Sequence, residues 1–378
     1  MKIVYSILGT FNSGGMERVL ANKANYLVDE GYDVTIITTD QQGRIPYFVM
    51  NPKIKHIDLE INYREDLNKN VFKKVYSYIS KQKIHKQKLE KVLQDLKADI
   101  VISMFDNDAT LIPKIKDGSK KILEIHFSRF KRIQYGRKGI WSIIDKFRSS
   151  SDLKIVQKYN RFVVLTEEDK NYWGELSNIE VIPNANSFTS SEQSVLTDKR
   201  AIAVGRYDYQ KGFDELIRLW KDVYAKNSEW KLDIFGEGPL KGELQNLIND
   251  LNLSETVKLC SPVKNIAQEY LKSSILIMTS RYEGLPMTLL EAQICGLPLV
   301  AYACKCGPKD IIQDGVNGYL IPERDSQMMT KKILNLIVNY ELRREMGNMG
   351  RDLSKNFSEN QIMKKWVNLF NEVTKENQ

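Results

Sequence analysis

Short apolar runs alternate with amphipathic stretches along the whole chain. Runs at 2–8, 34–38, 99–104, 121–125 and 161–166 have the length and near-continuous apolar character of strands buried on both faces. A second series follows at 201–204, 231–235, 257–259, 275–278 and 298–301. Positions 16–29, 71–96 and 240–251 carry apolar residues at helical spacing. Residues 40–70 follow neither period and read as irregular. Strand and helix in strict alternation predict an α/β fold with parallel sheets.

The chain has 378 residues, enough for two domains with a core in each. No apolar run approaches the roughly 20 residues that a membrane span needs, and the opening Met1-Lys2-Ile3-Val4-Tyr5 reads as a strand rather than a signal peptide. Four scattered cysteines point to a reducing, cytoplasmic compartment. Cys304 and Cys306 are near each other, but no further Cys or His pair completes a zinc spacing. Three histidines in all argue against a His-built metal site. A net charge of +8 favours an anionic partner, a nucleotide or a membrane lipid; without a recognisable nucleic-acid module, nucleic acid is set aside.

The most informative stretch is Ser280-Arg281-Tyr282-Glu283-Gly284-Leu285-Pro286-Met287-Thr288-Leu289-Leu290-Glu291. It follows the apolar run 275–278, breaks at Gly284 and Pro286, and turns helical from Thr288. A turn at the carboxyl end of a parallel strand is where open α/β sheets bind ligands. Its amides and the positive helix end suit an anion such as phosphate. Glu291, read as two helical turns into the helix, falls on the same side as Glu283, a pair suited to a polyhydroxylated ligand. The plainer alternative makes Glu283 a helix cap and Glu291 part of a solvated face. A similar strand–loop–helix unit carries Gly14 and Gly15 in a Gly/Ser/Asn-rich loop, either a phosphate cradle or a tight packing turn. Asp106-Asn107-Asp108 reads as a strand end with Asp108 capping a helix from Ala109 rather than as a metal motif. His126 follows the strand 121–125.

Two further stretches bear on partners. Val71, Val75, Tyr78, Ile79 and Leu89 give the lysine-rich stretch 71–96 a partial apolar face. Residues 129–148 interleave Arg and Lys with Phe130, Tyr135, Trp141 and Phe147. Both stretches fit either a solvated surface or an anionic membrane surface.

The sequence E-G-L-P-M-T-L-L-E, continuing A-Q-I-C-G-L-P-L-V-A, resembles the E-x7-E signature of the family 4 retaining glycosyltransferases. These are GT-B enzymes: α/β, two facing Rossmann-like domains with a cleft between them. Gly205-Arg206-Tyr207-Asp208-Tyr209-Gln210-Lys211-Gly212-Phe213 is similar to the family's G-R-x-x-x-x-K-G-f, and Gly14-Gly15-Met16-Glu17-Arg18 to its glycine loop. Val181-Ile182-Pro183-Asn184-Ala185-Asn186 matches I-P-N-G-V with alanine for glycine, and Gly307-Pro308-Lys309-Asp310-Ile311-Ile312 matches G-x-x-E-I-I with aspartate for glutamate. The resemblance covers nearly the whole chain. It implies an acceptor-binding domain over 1–190, a donor-binding domain over 191–357, and a final helix over 358–378 that crosses back.

It also implies transfer, with retained configuration, of a hexose or N-acetylhexosamine. The donor would be a nucleotide sugar, most often UDP-linked, and the acceptor a saccharide or polyprenyl-linked saccharide. The setting would be cell-surface polysaccharide synthesis, with no cofactor and no divalent metal. Arg206 and Lys211 would neutralise the leaving diphosphate. Glu283 would hold donor-sugar hydroxyls and Glu291 the ribose. His126 and the backbone of Gly284, Leu285, Pro286, Met287 and Thr288 would steady sugar and diphosphate. Gly14 and Gly15 would approach the diphosphate or acceptor, and the loop at Val263 would lie beside the base. A nucleotide-sugar epimerase or hydrolase, or a non-catalytic sugar-nucleotide binder, remains the alternative.

Overall fold

The computed structural model describes residues 1–66, 70–129 and 139–375, which form two compact units. The first holds Met1–Leu165, Lys170–Pro183 and the segment from Ile362 onward; the second holds Thr166–Asp169 and Asn184–Gln361.

In the first unit the strands are β1 (Lys2–Ile7), β2 (Asp33–Thr38), β3 (Lys55–Asp58), β4 (Ile100–Ser103), β5 (Lys120–Glu124), β6 (Arg161–Val164) and β7 (Ile179–Val181). They pair in parallel in the order β3-β2-β1-β4-β5-β6-β7. Every residue of β4 is buried, as expected of a central strand covered on both faces. The order reverses between β1 and β4, so the loops leaving these two strands sit where such sheets take ligands.

Two expectations are corrected here. Residues 40–70 are not all irregular, because Lys55-His56-Ile57-Asp58 forms the edge strand β3. Its residues are exposed or half-buried, as suits an edge, and so show no apolar run. The helix Val71–Leu96 exists as expected, but its buried positions are His85, Leu89 and Leu93. Val75, Tyr76, Tyr78 and Ile79 are exposed, and the side chain of Val71 lies outside the described residues, as do residues 130–138 and most side chains of 140–148. The helix Glu359–Lys375 buries Ile362, Met363, Trp366, Leu369, Phe370 and Val373.

The second unit contains β8 (Arg200–Val204), β9 (Lys231–Phe235), β10 (Val257–Cys260), β11 (Ile275–Met278), β12 (Leu299–Tyr302) and β13 (Gly318–Ile321). They also pair in parallel, in the order β10-β9-β8-β11-β12-β13. Its core includes Tyr207, Phe213, Leu216, Trp220, Leu232 and Ile277. Trp220 is fully buried and donates its indole N–H to Thr256 Oγ1 at 3.2 Å, so the ring enters the core without an orphan donor. Here the order reverses between β8 and β11.

Candidate functional site

The two loops singled out by sequence leave the two strands that flank the reversal in the second sheet. After β8 the chain runs through Gly205 and Arg206 to a 3-10 turn, Tyr209–Lys211, and then to Gly212 in the left-handed region at φ +64°. After β11 it runs from Thr279 to Pro286 and into the helix Met287–Ile294. Neighbouring strands bring the loops side by side.

Hydrogen bonds and a ring contact lock them together. Arg281 N donates to Gln210 O at 2.7 Å, and Thr279 Oγ1 donates to Gly212 O at 3.0 Å. Gln210 Nε2 donates to Tyr282 O at 3.0 Å. The Arg281 guanidinium donates to Tyr209 O at 2.6 Å and to both oxygens of Asp214 at 2.8 and 3.0 Å, while stacking 4.2 Å from the Tyr209 ring. A β-carbon at Gly212 would lie 2.3 Å from Thr279 O, so glycine is required for this approach as well as for its φ. The loop after β12 adds support, with Glu283 N donating to Lys305 O at 3.2 Å.

On this frame Lys211 Nζ lies 2.7 Å from Glu283 Oε1, and both side chains are largely buried. Arg206 is 71% exposed, 2.9 Å from Asp208 and within reach of Gln210 Oε1 at 3.4 Å. The helix that follows starts at Met287, with Pro286 as its cap residue and no side-chain cap. Its leading amides therefore suit an anion. Glu291 sits one turn into this helix, not two. It is buried, with Oε1 accepting from Ser187 Oγ at 2.5 Å and Oε2 from Tyr270 O–H at 3.0 Å. Glu291 is thus not part of a solvated face, and Glu283 does not cap the helix, whose cap residue is Pro286. Leu285 and Pro286 are buried, while Gly284, Met287 and Thr288 are half-buried. Val263, in the loop after β10, is 42% exposed.

The remaining candidates belong to the first unit. Gly14 precedes the helix Gly15–Asp29, and a β-carbon there would meet Glu17 Oε2 at 2.2 Å. The Glu17 carboxylate, which accepts from Asn12 at 3.0 Å, therefore stands beside this helix start. His126 follows β5, with Nε2 3.1 Å from Glu124 Oε1, and its buried Nδ1 has no hydrogen-bond partner among the described residues. Glu124 is itself bound by Lys23 Nζ at 2.5 and 2.7 Å, and Lys23 lies 3.7 Å from the centre of the Trp366 ring. Asp106 and Asp108 knit the end of β4. Asp106 accepts from Leu8 N and Asn107 N, and Asp108 from Ser103 Oγ and Asp106 N. No helix starts at Ala109; a turn leads to a 3-10 segment at Ile112–Lys114, correcting the expected cap. No group of three His, Cys, Asp or Glu among the described residues is gathered to hold a metal ion.

Sequence reasoning passed over Arg281, Gln210, Tyr270 and Ser187, which build the frame, and Lys23 and Glu124. The last two left a signal: an ionisable residue within an otherwise buried stripe, and another ending a buried strand.

In architecture the chain is a GT-B α/β protein. Staphylococcus aureus TarM, solved as a mutant with fondaparinux, alpha-GlcNAc-glycerol and UDP, matches with a TM-score of 0.80 over 98% of this chain and 99% of that one, at 20% identity. The family models Glycosyltransferase Family 4 and Glycosyl transferases group 1 match residues 13–185 and 186–353. The amylovoran biosynthesis glycosyltransferase AmsD of Erwinia amylovora is 30% identical, over 98% of this chain and 99% of its own. An α-1,4-N-acetyl-D-galactosaminyltransferase of Campylobacter jejuni, named for an undecaprenol-linked substrate, is 27% identical over 99% of both chains. The chain belongs to the family 4 glycosyltransferases, and is a sugar-transferring enzyme.

Proposed function

We propose that the enzyme moves a hexose or N-acetylhexosamine, with retained configuration, from a UDP-sugar to a saccharide or polyprenyl-linked saccharide during surface polysaccharide assembly. The observation that carries this reading is the pairing of Lys211 with Glu283 beside an uncapped helix start, with Arg206 free to swing from an exposed position. A diphosphate needs cations and amides, and a sugar needs a carboxylate for its hydroxyls; the two switch-point loops supply all of these. Relatives acting in amylovoran synthesis and on an undecaprenol-linked sugar support the setting. The complex containing UDP supports the donor class.

In this scheme Arg206, Lys211 and the amides from Gly284 to Thr288 stabilise the departing diphosphate, without a divalent metal. The departing phosphate oxygen takes the acceptor proton in a front-side displacement. Glu283 holds the sugar and Glu291 the ribose. The first unit takes the acceptor; Gly14 and Gly15 approach the diphosphate or the acceptor, and His126 donates to the sugar or the leaving phosphate. The exposed Val75, Tyr76 and Ile79, among the lysines of the helix Val71–Leu96, suit a peripheral contact with an anionic membrane surface on the cytoplasmic side.

The test is an assay of the purified chain against UDP- and GDP-sugars with free and lipid-linked saccharide acceptors. A UDP-sugar is expected to turn over with retention, EDTA to change the rate little, and Glu283→Ala and Lys211→Ala each to lower it by at least about a hundredfold. No turnover of any nucleotide sugar, even by slow hydrolysis, would end the reading; strong EDTA inhibition would end its metal-free form.

A further inference from the structure

Lys211 and Glu283, each assigned a ligand group of its own, hold each other in this structure. Their contact is 2.7 Å, with the lysine side chain 16% exposed and the glutamate 6%. The lysine stem packs flat on the Gly205 backbone, where a β-carbon would lie 3.0 Å from its Cγ, Cδ and Cε. Glu283 Oε2 has Gln210 Nε2 at 3.4 Å, a weak neutral partner. Removing the lysine would therefore leave a buried carboxylate almost uncompensated, which is costly.

We propose that Lys211–Glu283 is an exchange pair: the donor's diphosphate takes Lys211 from Glu283, and the donor's sugar hydroxyls take its place on the carboxylate. The inference rests on the donor reading given above. A complete nucleotide sugar satisfies both charges. The bare nucleoside diphosphate draws off the lysine and strands Glu283, so it binds against a penalty. The same pair that admits the donor thus disfavours retention of the product. No bond is made or broken in the exchange; only ion-pair and hydrogen-bond partners change.

The test is calorimetric titration of the full chain with UDP, and in parallel with UDP-glucose, UDP-N-acetylglucosamine and UDP-N-acetylgalactosamine. Glu283→Gln is expected to tighten UDP binding by about five- to tenfold, the range of coupling between directly contacting charged groups. It is not expected to tighten binding of the UDP-sugar, because the hydroxyl acceptor is weakened. A double-mutant cycle separates exchange from simple repulsion between carboxylate and phosphate. In a Lys211→Met background the Glu283→Gln gain is expected to vanish; a gain that persists there would overturn the exchange. Glu283→Asp guards against misfolding of the amide variant. It keeps the charge but shortens the reach to Lys211, so it should also tighten UDP binding, whereas repulsion predicts no gain. Unchanged or weaker UDP binding in both variants would overturn the proposal alone. Failure of the unaltered chain to bind UDP or any of the UDP-sugars would overturn the donor reading with it.

Discussion

A lysine ammonium and a glutamate carboxylate meet in the core of the first unit, with side chains 5% and 1% exposed. Burial pushes Lys23 below the usual lysine value against the pull of Glu124. Burial alone would raise Glu124, but Lys23 and His126 hold it down at about 2. Glu124 therefore stays charged, and Lys23 Nζ sits against the face of Trp366. Breaking such a pair leaves an uncompensated charge, so Lys23→Met is expected to cost roughly 3–5 kcal/mol in denaturant unfolding, whereas Lys23→Met with Glu124→Met should recover most of it. A single variant as stable as the double would mean that the pair is screened by water. The carboxylate's other neighbour, His126, has Nε2 3.1 Å from Glu124 Oε1, while its buried Nδ1 has no hydrogen-bond partner among the described residues. A buried group of that kind calls for a partner, which is consistent with the ligand role proposed for it.

At the scale of elements, the loops after β8 and β11 depend on backbone that a side chain would spoil. Gly212 combines a φ of +64° with a 2.3 Å approach of a would-be β-carbon to Thr279 O. Gly212→Ala should cost about 1–3 kcal/mol of stability. It should also weaken UDP binding, because pushing the loops after β8 and β11 apart would displace Arg206 and Lys211 together from the position proposed for the diphosphate. Urea melts and titration read the two effects, and intact UDP affinity in a destabilised variant would show that the loops are not the binding frame. Arg281 works at the same scale, since its fork ties the 3-10 turn to the helix Phe213–Lys226 through Asp214. In the helix Val71–Leu96 the turns around Leu89 and Leu93 face the core, while Val75, Tyr76, Tyr78 and Ile79 are exposed.

At the scale of the whole molecule, buried titratable groups give the stability a pH profile. Burial, with the Asp106 charge adding to it, pushes Asp108 up to about 7. A carboxyl raised in the folded state stabilises it fully below the usual aspartate value, and that stability is lost as pH rises through 7. Burial lowers His85 to about 4, so its contribution is present above the usual histidine value and lost as pH falls through 4. Glu124 acts likewise below about 4.5. The two limbs place the stability maximum at roughly pH 5 to 6. Asp108→Asn removes the alkaline limb and leaves Oδ1 its partners, so its Tm gain should be larger at pH 8 than at pH 5. Equal gains by scanning calorimetry at the two values would place the titration elsewhere.

The fold class and the two glycine-bracketed loops after β8 and β11 could be read before any coordinates, because both are local. Buried parallel strands are continuous apolar runs, and a loop that must break a strand, turn and start a helix shows its breakers within a few residues, Gly205 and Gly212 in one loop and Gly284 and Pro286 in the other. What escaped that reading is relational. β3 is polar because an edge strand needs no apolar face, so it left no run to find. The partnership of Lys211 with Glu283 spans 72 positions and follows from the adjacency of β8 and β11, which is a property of strand order. The Lys23–Glu124 pair spans 101 positions and has no local signature beyond two misplaced charges. Side-chain type and spacing carry short-range preference, whereas the pairing of charges and the burial that sets their strength exist only once distant strands have been brought side by side.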